Sequence, residues 1–178
     1  MQKIYYLTGN KNKFAEAKAI LGDLEQLELD LKEIQEIDPK KIIEEKLNEA
    51  LKHHKGPLIV EDVSFELEAL KGLPGPFIKW FEKKIQARGV YRLAEKFGNI
   101  NATVRTIVGL AKDGKIYFFE GKVKGKVVSP RGKNGFGFDV IFKPDGFTKT
   151  FAQMSPFEKN KISHRKIALD KLRIFFEK

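Results

Sequence analysis

Cysteine is missing from the 178-residue chain altogether. That rules out disulfides and thiolate metal sites, and nothing argues for an oxidising compartment. No apolar run comes near the roughly 20 residues needed to span a bilayer. The N-terminal stretch MQKIYYLTGN is a strand pattern running into a turn, without the long apolar centre of a signal peptide. Histidine is scarce, and two of the three, His53 and His54, are neighbours that would face different directions on a helix. They make a poor ligand pair and read as surface residues. No internal repeat, low-complexity tract or interdomain linker is visible. The length fits one domain, residues 1–178, or one domain with two lobes, and a cytoplasmic protein is the expectation.

Acidic residues are outnumbered. Against 24 Asp and Glu stand 34 Lys and Arg, a net charge of +10. Such a surplus favours a polyanionic partner: nucleic acid, a membrane surface or a nucleotide phosphate chain. Charge alone does not choose among them.

What is present is organised around Leu58 to Phe81. The apolar run Leu58-Ile59-Val60 reads as a fully buried strand, ended by the adjacent carboxylates Glu61 and Asp62. Charges at the end of a buried strand must face solvent or a cation, because burying them unpaired is too costly. In α/β sheets that edge commonly holds the ligand. The bland alternative is that the two carboxylates simply begin a loop. A Gly/Pro-rich turn (Gly72, Pro74, Gly75, Pro76) then leads into an aromatic helix start carrying Lys79 and Trp80.

Upstream, residues 3–8 read as a first strand closed by Gly9-Asn10. From Asn12 the spacing of Phe14, Ala17, Leu21 and Leu24 predicts a helix. The unit TGNKNK thus presents backbone N–H groups, Thr8, Asn10 and Lys13 around a helix N-terminus, an anion site in the making. It lacks Walker A spacing, and Thr8 alone would pass for a capping residue. A second strand is expected over Gln26–Leu31, leading to Glu33, and a helix from Pro39 to about His54. Lys46 lies beside that helix's apolar stripe, placed either to snorkel outward or to point into a site needing positive charge. Residues 78–97 look helical with an interruption near Gly89. Two long strands, about 102–111 and 115–125, are joined by the hairpin signal Asp113-Gly114, so the sheet should be mixed. A basic loop, 130–135, delivers Phe136-Gly137-Phe138-Asp139 and a short strand, 140–142. Ser155-Pro156 starts a short helix carrying Lys159, and Ser163 caps a terminal helix beginning His164-Arg165.

Taken together, Thr8-Gly9-Asn10…Lys13, Glu33-Ile34-Gln35, Glu61-Asp62, Leu73-Pro74-Gly75-Pro76-Phe77-Ile78-Lys79-Trp80-Phe81, Phe136-Gly137-Phe138-Asp139 and Ser163-His164-Arg165 resemble the inosine triphosphate pyrophosphatase family, the Ham1-like noncanonical purine NTP pyrophosphatases. The resemblance covers essentially the whole chain, with every block in family order. It implies a homodimer of elongated α/β subunits, a long mixed sheet flanked by helices, and a nucleotide cleft between two lobes. It also implies Mg²⁺-assisted hydrolysis of ITP, dITP and XTP to the monophosphate and pyrophosphate, with neither nucleic acid nor membrane as partner. By position, Thr8, Gly9, Asn10, Lys11, Asn12 and Lys13 would hold the phosphates. Glu33 and Asp62 would bind magnesium, and Lys46, Lys79 and Lys159 would complete the phosphate and sugar contacts. Phe136, Gly137, Phe138 and Asp139 with His164 and Arg165 would surround the base. Two positions depart from the pattern. Val63 replaces the usual Ser or Thr, leaving its backbone or Ser64 to make any such contact, and Phe138 replaces the frequent Tyr or Trp.

The residue types suit the chemistry. Magnesium takes oxygen ligands and keeps several waters, so one or two carboxylates plus substrate phosphates suffice. Asp62 is the choice to orient or deprotonate the attacking water, with Glu61 as an accessory metal or water ligand. A donor opposite the 6-carbonyl of hypoxanthine or xanthine, from Arg165 or the 136–139 loop, would meet adenine donor to donor. An unpaired buried donor costs about 1–3 kcal/mol, roughly tenfold to a hundredfold in selectivity. Two alternatives stay open: a Maf-like pyrophosphatase of other base specificity, and a basic nucleic-acid-binding module. The second lacks any RRM-type aromatic block or helix-turn-helix pattern.

Overall fold

The computed structural model describes residues 3–177; Met1, Gln2 and Lys178, including the first two residues of the N-terminal stretch, lie outside the described residues. Strand and helix alternate at first, as β1 Tyr5–Leu7, α1 Lys11–Leu21, β2 Glu25–Leu27, α2 Pro39–Ala50 and β3 Leu58–Leu67. Then come β4 Pro74–Gly75, α3 Ile78–Lys96, β5 Asn101–Lys112, β6 Lys115–Val127, β7 Phe142–Pro144, α4 Pro156–Ile162 and α5 His164–Phe176. Seven strands form one mixed sheet in the order β2-β1-β3-β5-β6-β7, with β4 paired to β3 off that path. β1 runs parallel to β2 and β3, while the β3–β4 and β6–β7 pairs are antiparallel. Helices α1 and α2 supply the crossovers that parallel pairing demands. At the β5–β6 hairpin, Asp113 and Gly114 take φ of 52° and 72°, the two left-handed values of a type I′ turn.

The fold divides into two compact units. One comprises the chain up to Asp62, Thr106–Gly121 and the chain from Arg165; the other comprises Val63–Arg105 and Lys122–His164. β3, β5 and β6 run through both. In the first unit the sheet is covered on both faces. Tyr6, Ile59, Val108 and Leu110 pack with Ala17 of α1 and Ala168, Leu169 and Leu172 of α5. The alternate residues Leu7, Leu58, Val60, Ile107 and Ala111 pack with Ile43, Leu47 and Ala50 of α2. Two-sided burial is why Leu58-Ile59-Val60 reads as an unbroken apolar run. α2 sits so close that a Cβ at Gly109 would lie 2.2 Å from Ile43 Cγ2, so only glycine fits there. In the second unit Phe65, Leu67, Ala102, Val104 and Val127 pack with Ile78, Val90 and Ala94 of α3 and with Phe138, Phe142 and Phe151.

Several expectations need correction. β3 does not end at Glu61-Asp62 but continues to Leu67, so both carboxylates lie within the strand. β2 stops at Leu27, opposite Leu7, because its partner β1 ends there. α2 closes at Ala50, and His54 lies edge-on to the Tyr5 ring at 4.4 Å. The break in α3 falls at Gln86 (φ 59°, ψ 173°) and not at Gly89. A 3-10 turn, Gly137–Val140, takes the place of the strand expected at 140–142, and β7 follows it.

Candidate active site

In the first unit the TGNKNK turn joins β1 to α1. Asn10 is the N-cap: its Oδ1 accepts from the N–H groups of Asn12 at 3.0 Å and Lys13 at 3.1 Å, and Thr8 Oγ1 accepts from the Asn10 N–H at 3.1 Å. Three amides expected to face an anion are therefore satisfied within the turn. Lys11 and Asn12 are exposed, and a Cβ at Gly9 would meet nothing within 4 Å. Lys13 reaches from α1 toward β3, its Nζ 3.3 Å from Glu61 Oε1.

Glu61 is buried, and Arg165 at the start of α5 explains how. Its Nε donates to Glu61 Oε2 at 2.8 Å and its Nη2 to Oε1 at 2.7 Å, a bidentate pair between residues 104 apart in sequence. Arg165, 1% exposed, also donates through Nη1 to Glu16 of α1. Burial works to raise the Glu61 pKa, but the charges of Arg165 and Lys13 outweigh it and hold the carboxyl well below its usual range. The strand need not end at Glu61 because this charge is paired inside. Both oxygens expected to serve a metal or water, and the guanidinium expected at the base, are committed to each other here.

Asp62 points the other way along the strand and has a different environment. Its Oδ2 is buried and accepts no hydrogen bond. Burial, reinforced by the charges of Glu33 and Glu61 and opposed by Lys13 and Lys46, pushes its carboxyl up to about 7. Lys46 of α2 donates from Nζ to Glu33 Oε1 at 3.0 Å; it points into the acidic cluster and does not snorkel away. Glu33 itself is exposed. A buried carboxylate oxygen without a donor, a second carboxylate within electrostatic reach and two ammonium groups beside them make one charged cluster. Among the described residues no three His, Asp, Glu or Cys side chains gather into a metal cage. Two carboxylates fit a magnesium ion that takes its other ligands from water and phosphate.

The second unit holds the remaining predicted residues. Asp139 Oδ2 accepts from the Phe136 N–H at 2.9 Å and from Lys159 Nζ at 2.7 Å. Asp139 and Lys159 are 2% and 3% exposed, a buried ion pair within the fold. The Lys159 ammonium stands 4.9 Å from the Phe136 ring centroid. His164, also buried, lies edge-on to Phe138, with ring centroids 6.0 Å apart. Lys79, by contrast, is exposed, its Nζ 6.0 Å from the centroid of Trp80. Val63 packs against the core of this unit and Ser64 is buried.

The Ham1 family model matches residues 4–175. The chain belongs to the Ham1 family. It is 43% identical to an inosine triphosphate pyrophosphatase of Schizosaccharomyces pombe, an alignment covering 99% of this chain and 96% of that protein. Among solved structures, a HAM1 protein from Coxiella burnetii superposes with a TM-score of 0.84 at 27% identity over the full length of both chains. A nucleoside-triphosphatase, dITP/XTP pyrophosphatase, from Mycobacterium abscessus gives 0.75 at 25% identity, covering 95% of this chain and 97% of that one. In this Ham1 chain, Glu16 is the residue that sequence reasoning missed. The signal was available: it stands one turn after Lys13 on α1, so the two side chains share a helix face.

Proposed function

We propose that the protein hydrolyses noncanonical purine nucleoside triphosphates, ITP, dITP and XTP, to the monophosphate and pyrophosphate, and so cleanses the nucleotide pool. The observation that carries this reading is Asp62, a carboxylate held in the fold with a buried oxygen lacking a donor, between Lys13 and Lys46, in a chain 43% identical throughout to an inosine triphosphate pyrophosphatase. Asp62 and Glu33 would hold a magnesium ion, which when bound supplies charge neutralisation for the phosphates and a more acidic water. Asp62 orients the attacking water and takes its proton. Lys13 and Lys46 position the phosphate chain and offset the charge that develops on the leaving pyrophosphate. Lys79 would add a further phosphate contact. Arg165 keeps Glu61 and Glu16 fixed beside this cluster, so Glu61 acts as an anchor for Lys13 and Asp62.

In the second unit, Phe136 to Asp139 with Lys159 and His164 would receive the base, Phe138 by stacking. The protein is proposed to work as a cytoplasmic homodimer; among the described residues no helix is long and apolar enough to cross a membrane. Pyrophosphate release with and without Mg²⁺, from ITP, XTP, ATP, dTTP and UTP in parallel, tests the whole reading. Magnesium-dependent release confined to ITP and XTP is expected. Preference for a pyrimidine would favour a Maf-like specificity. No magnesium-stimulated release from any of them would remove the enzyme reading and leave the basic binding module. Light scattering decides the dimer.

A further inference from the structure

Tyr6 is 1% exposed, yet it carries a hydroxyl into the core of the first unit. On β1 it stands opposite Ile59 of β3. Glu61 lies two residues further along the same face of β3, a diagonal neighbour that a tyrosine side chain can reach. The hydroxyl stands beside the Glu61 carboxylate, and each bears on the other's protonation, without closing a full hydrogen bond. Burial and the Glu61 charge hold the phenol pKa well above its usual range, so the proton stays on the oxygen as a donor in reserve. A phenylalanine would fill the same space without leaving a buried hydroxyl short of a partner.

Glu61 offers about four acceptor positions. Arg165 occupies two, through Nε at 2.8 Å and Nη2 at 2.7 Å, and Lys13 a third at 3.3 Å. The Lys13 contact is the longest of these. Its side chain is 24% exposed against 1% for Arg165, so Lys13 is the partner able to turn away. When an ammonium leaves a buried carboxylate, the anion loses compensation, and that cost counts against whatever drew the ammonium off.

We propose that Tyr6 is a positioning residue for phosphate binding: its hydroxyl closes onto Glu61 as Lys13 leaves that carboxylate for the phosphate chain. This rests on the reading that Lys13 holds the phosphates. The exchange replaces one donor on Glu61 by another. It also satisfies, in the bound state alone, a hydroxyl left short in the free one, so part of the cost of moving Lys13 is returned on binding. Tyr6 acts through Glu61 and Lys13 and not by touching substrate.

The test compares Tyr6→Phe, Lys13→Ala and the double variant with the wild type, by ITP kinetics at saturating Mg²⁺ and by Tm in EDTA without nucleotide. Tyr6→Phe keeps the ring and removes the hydroxyl, so KM for ITP should rise by about tenfold, with kcat and Tm little changed. In the Lys13→Ala background Glu61 has already lost its ammonium, and the hydroxyl closes on it with no substrate present. There Tyr6→Phe should lower Tm and add little to KM, the reverse of its effect on the wild type. An unaltered KM in Tyr6→Phe, with Lys13→Ala raising KM, overturns the role of Tyr6 and spares Lys13 as a phosphate contact. Lys13→Ala with KM unaltered removes the phosphate reading of Lys13 and this inference with it. A Tm lowered equally by Tyr6→Phe in both backgrounds shows a hydroxyl already bonded in the free protein and denies the exchange. Should Lys13→Ala turn over too slowly for a KM, the two Tm comparisons decide.

Discussion

Glu61 and Asp62 are adjacent residues with opposite electrostatic fates. Alternation along β3 turns them to opposite faces, one toward Arg165 and Lys13 and the other toward Glu33 and Lys46. The first is a charge fully paired in the interior; removing its charge leaves a buried guanidinium short of a partner. Glu61→Gln is therefore expected to destabilise the fold by about 3–5 kcal/mol, read as a lower midpoint in urea unfolding. A midpoint unmoved by the change would deny Glu61 its anchoring role. Asp62 behaves inversely. Its folded-state pKa, about 7, lies above that of an unfolded aspartate. The metal-free native state then binds the extra proton between those values, and stability falls as pH rises from about 4 to about 7. Asp62→Asn should abolish turnover yet, in EDTA, be more stable than the wild type above neutrality and no different below about pH 4. Magnesium should raise the wild-type Tm and leave that of Asp62→Asn unmoved. Equal shifts in both would place the ion elsewhere.

At the scale of elements, local signals were good guides where the interaction itself is local. Ser155-Pro156 and Glu158 announce α4, and the capping box forms as the spacing implies: Ser155 Oγ accepts from the Glu158 N–H at 3.2 Å, and Glu158 Oε2 from the Ser155 N–H at 2.7 Å. The Asp113-Gly114 hairpin was equally legible. The length of β3 was not, since what allows the strand to continue past Glu61 is an arginine 104 residues away. The break in α3 was nearly found, but at the wrong residue. Glycine at 89 marks a break in the sequence pattern, whereas the chain departs from helix at Gln86, and a Cβ at Gly89 would lie 2.5 Å from Ile85 Cβ. The glycine accommodates the kink and does not make it. For α4 the capping residues give a direct test. Ser155→Ala should lower stability by about 1 kcal/mol. The Glu158 carboxyl is held down to about 2 by hydrogen bonds from the Ser155 backbone and Lys149. Its stabilisation is complete above the unfolded glutamate value and disappears as pH falls through about 2. The Tm difference between wild type and Glu158→Ala should accordingly shrink between about pH 4.5 and pH 2; a difference constant over that window would rule out the charged cap.

For the whole molecule, the ordered blocks of residues made the family legible, and most of the candidate residues do fall into two clusters, one in each unit. What no spacing could convey is which partner each charged side chain takes. Arg165 and Lys159 both looked like groups reserved for a nucleotide, and both are buried against carboxylates of the protein itself. Besides Lys13, Lys46 and Lys79, the charge that acts on a substrate is the surplus of +10 spread over the chain. A field of that kind acts on the approach of a triphosphate and not on the bond-breaking step, and mobile ions screen it over about 8–10 Å at physiological ionic strength. KM for ITP should therefore rise severalfold when NaCl is raised from about 0.05 to about 0.5 M at constant free Mg²⁺, while kcat changes little. If kcat falls and KM holds, salt is acting on the buried ion pairs that shape the site, and the surplus positive charge has no part in gathering substrate.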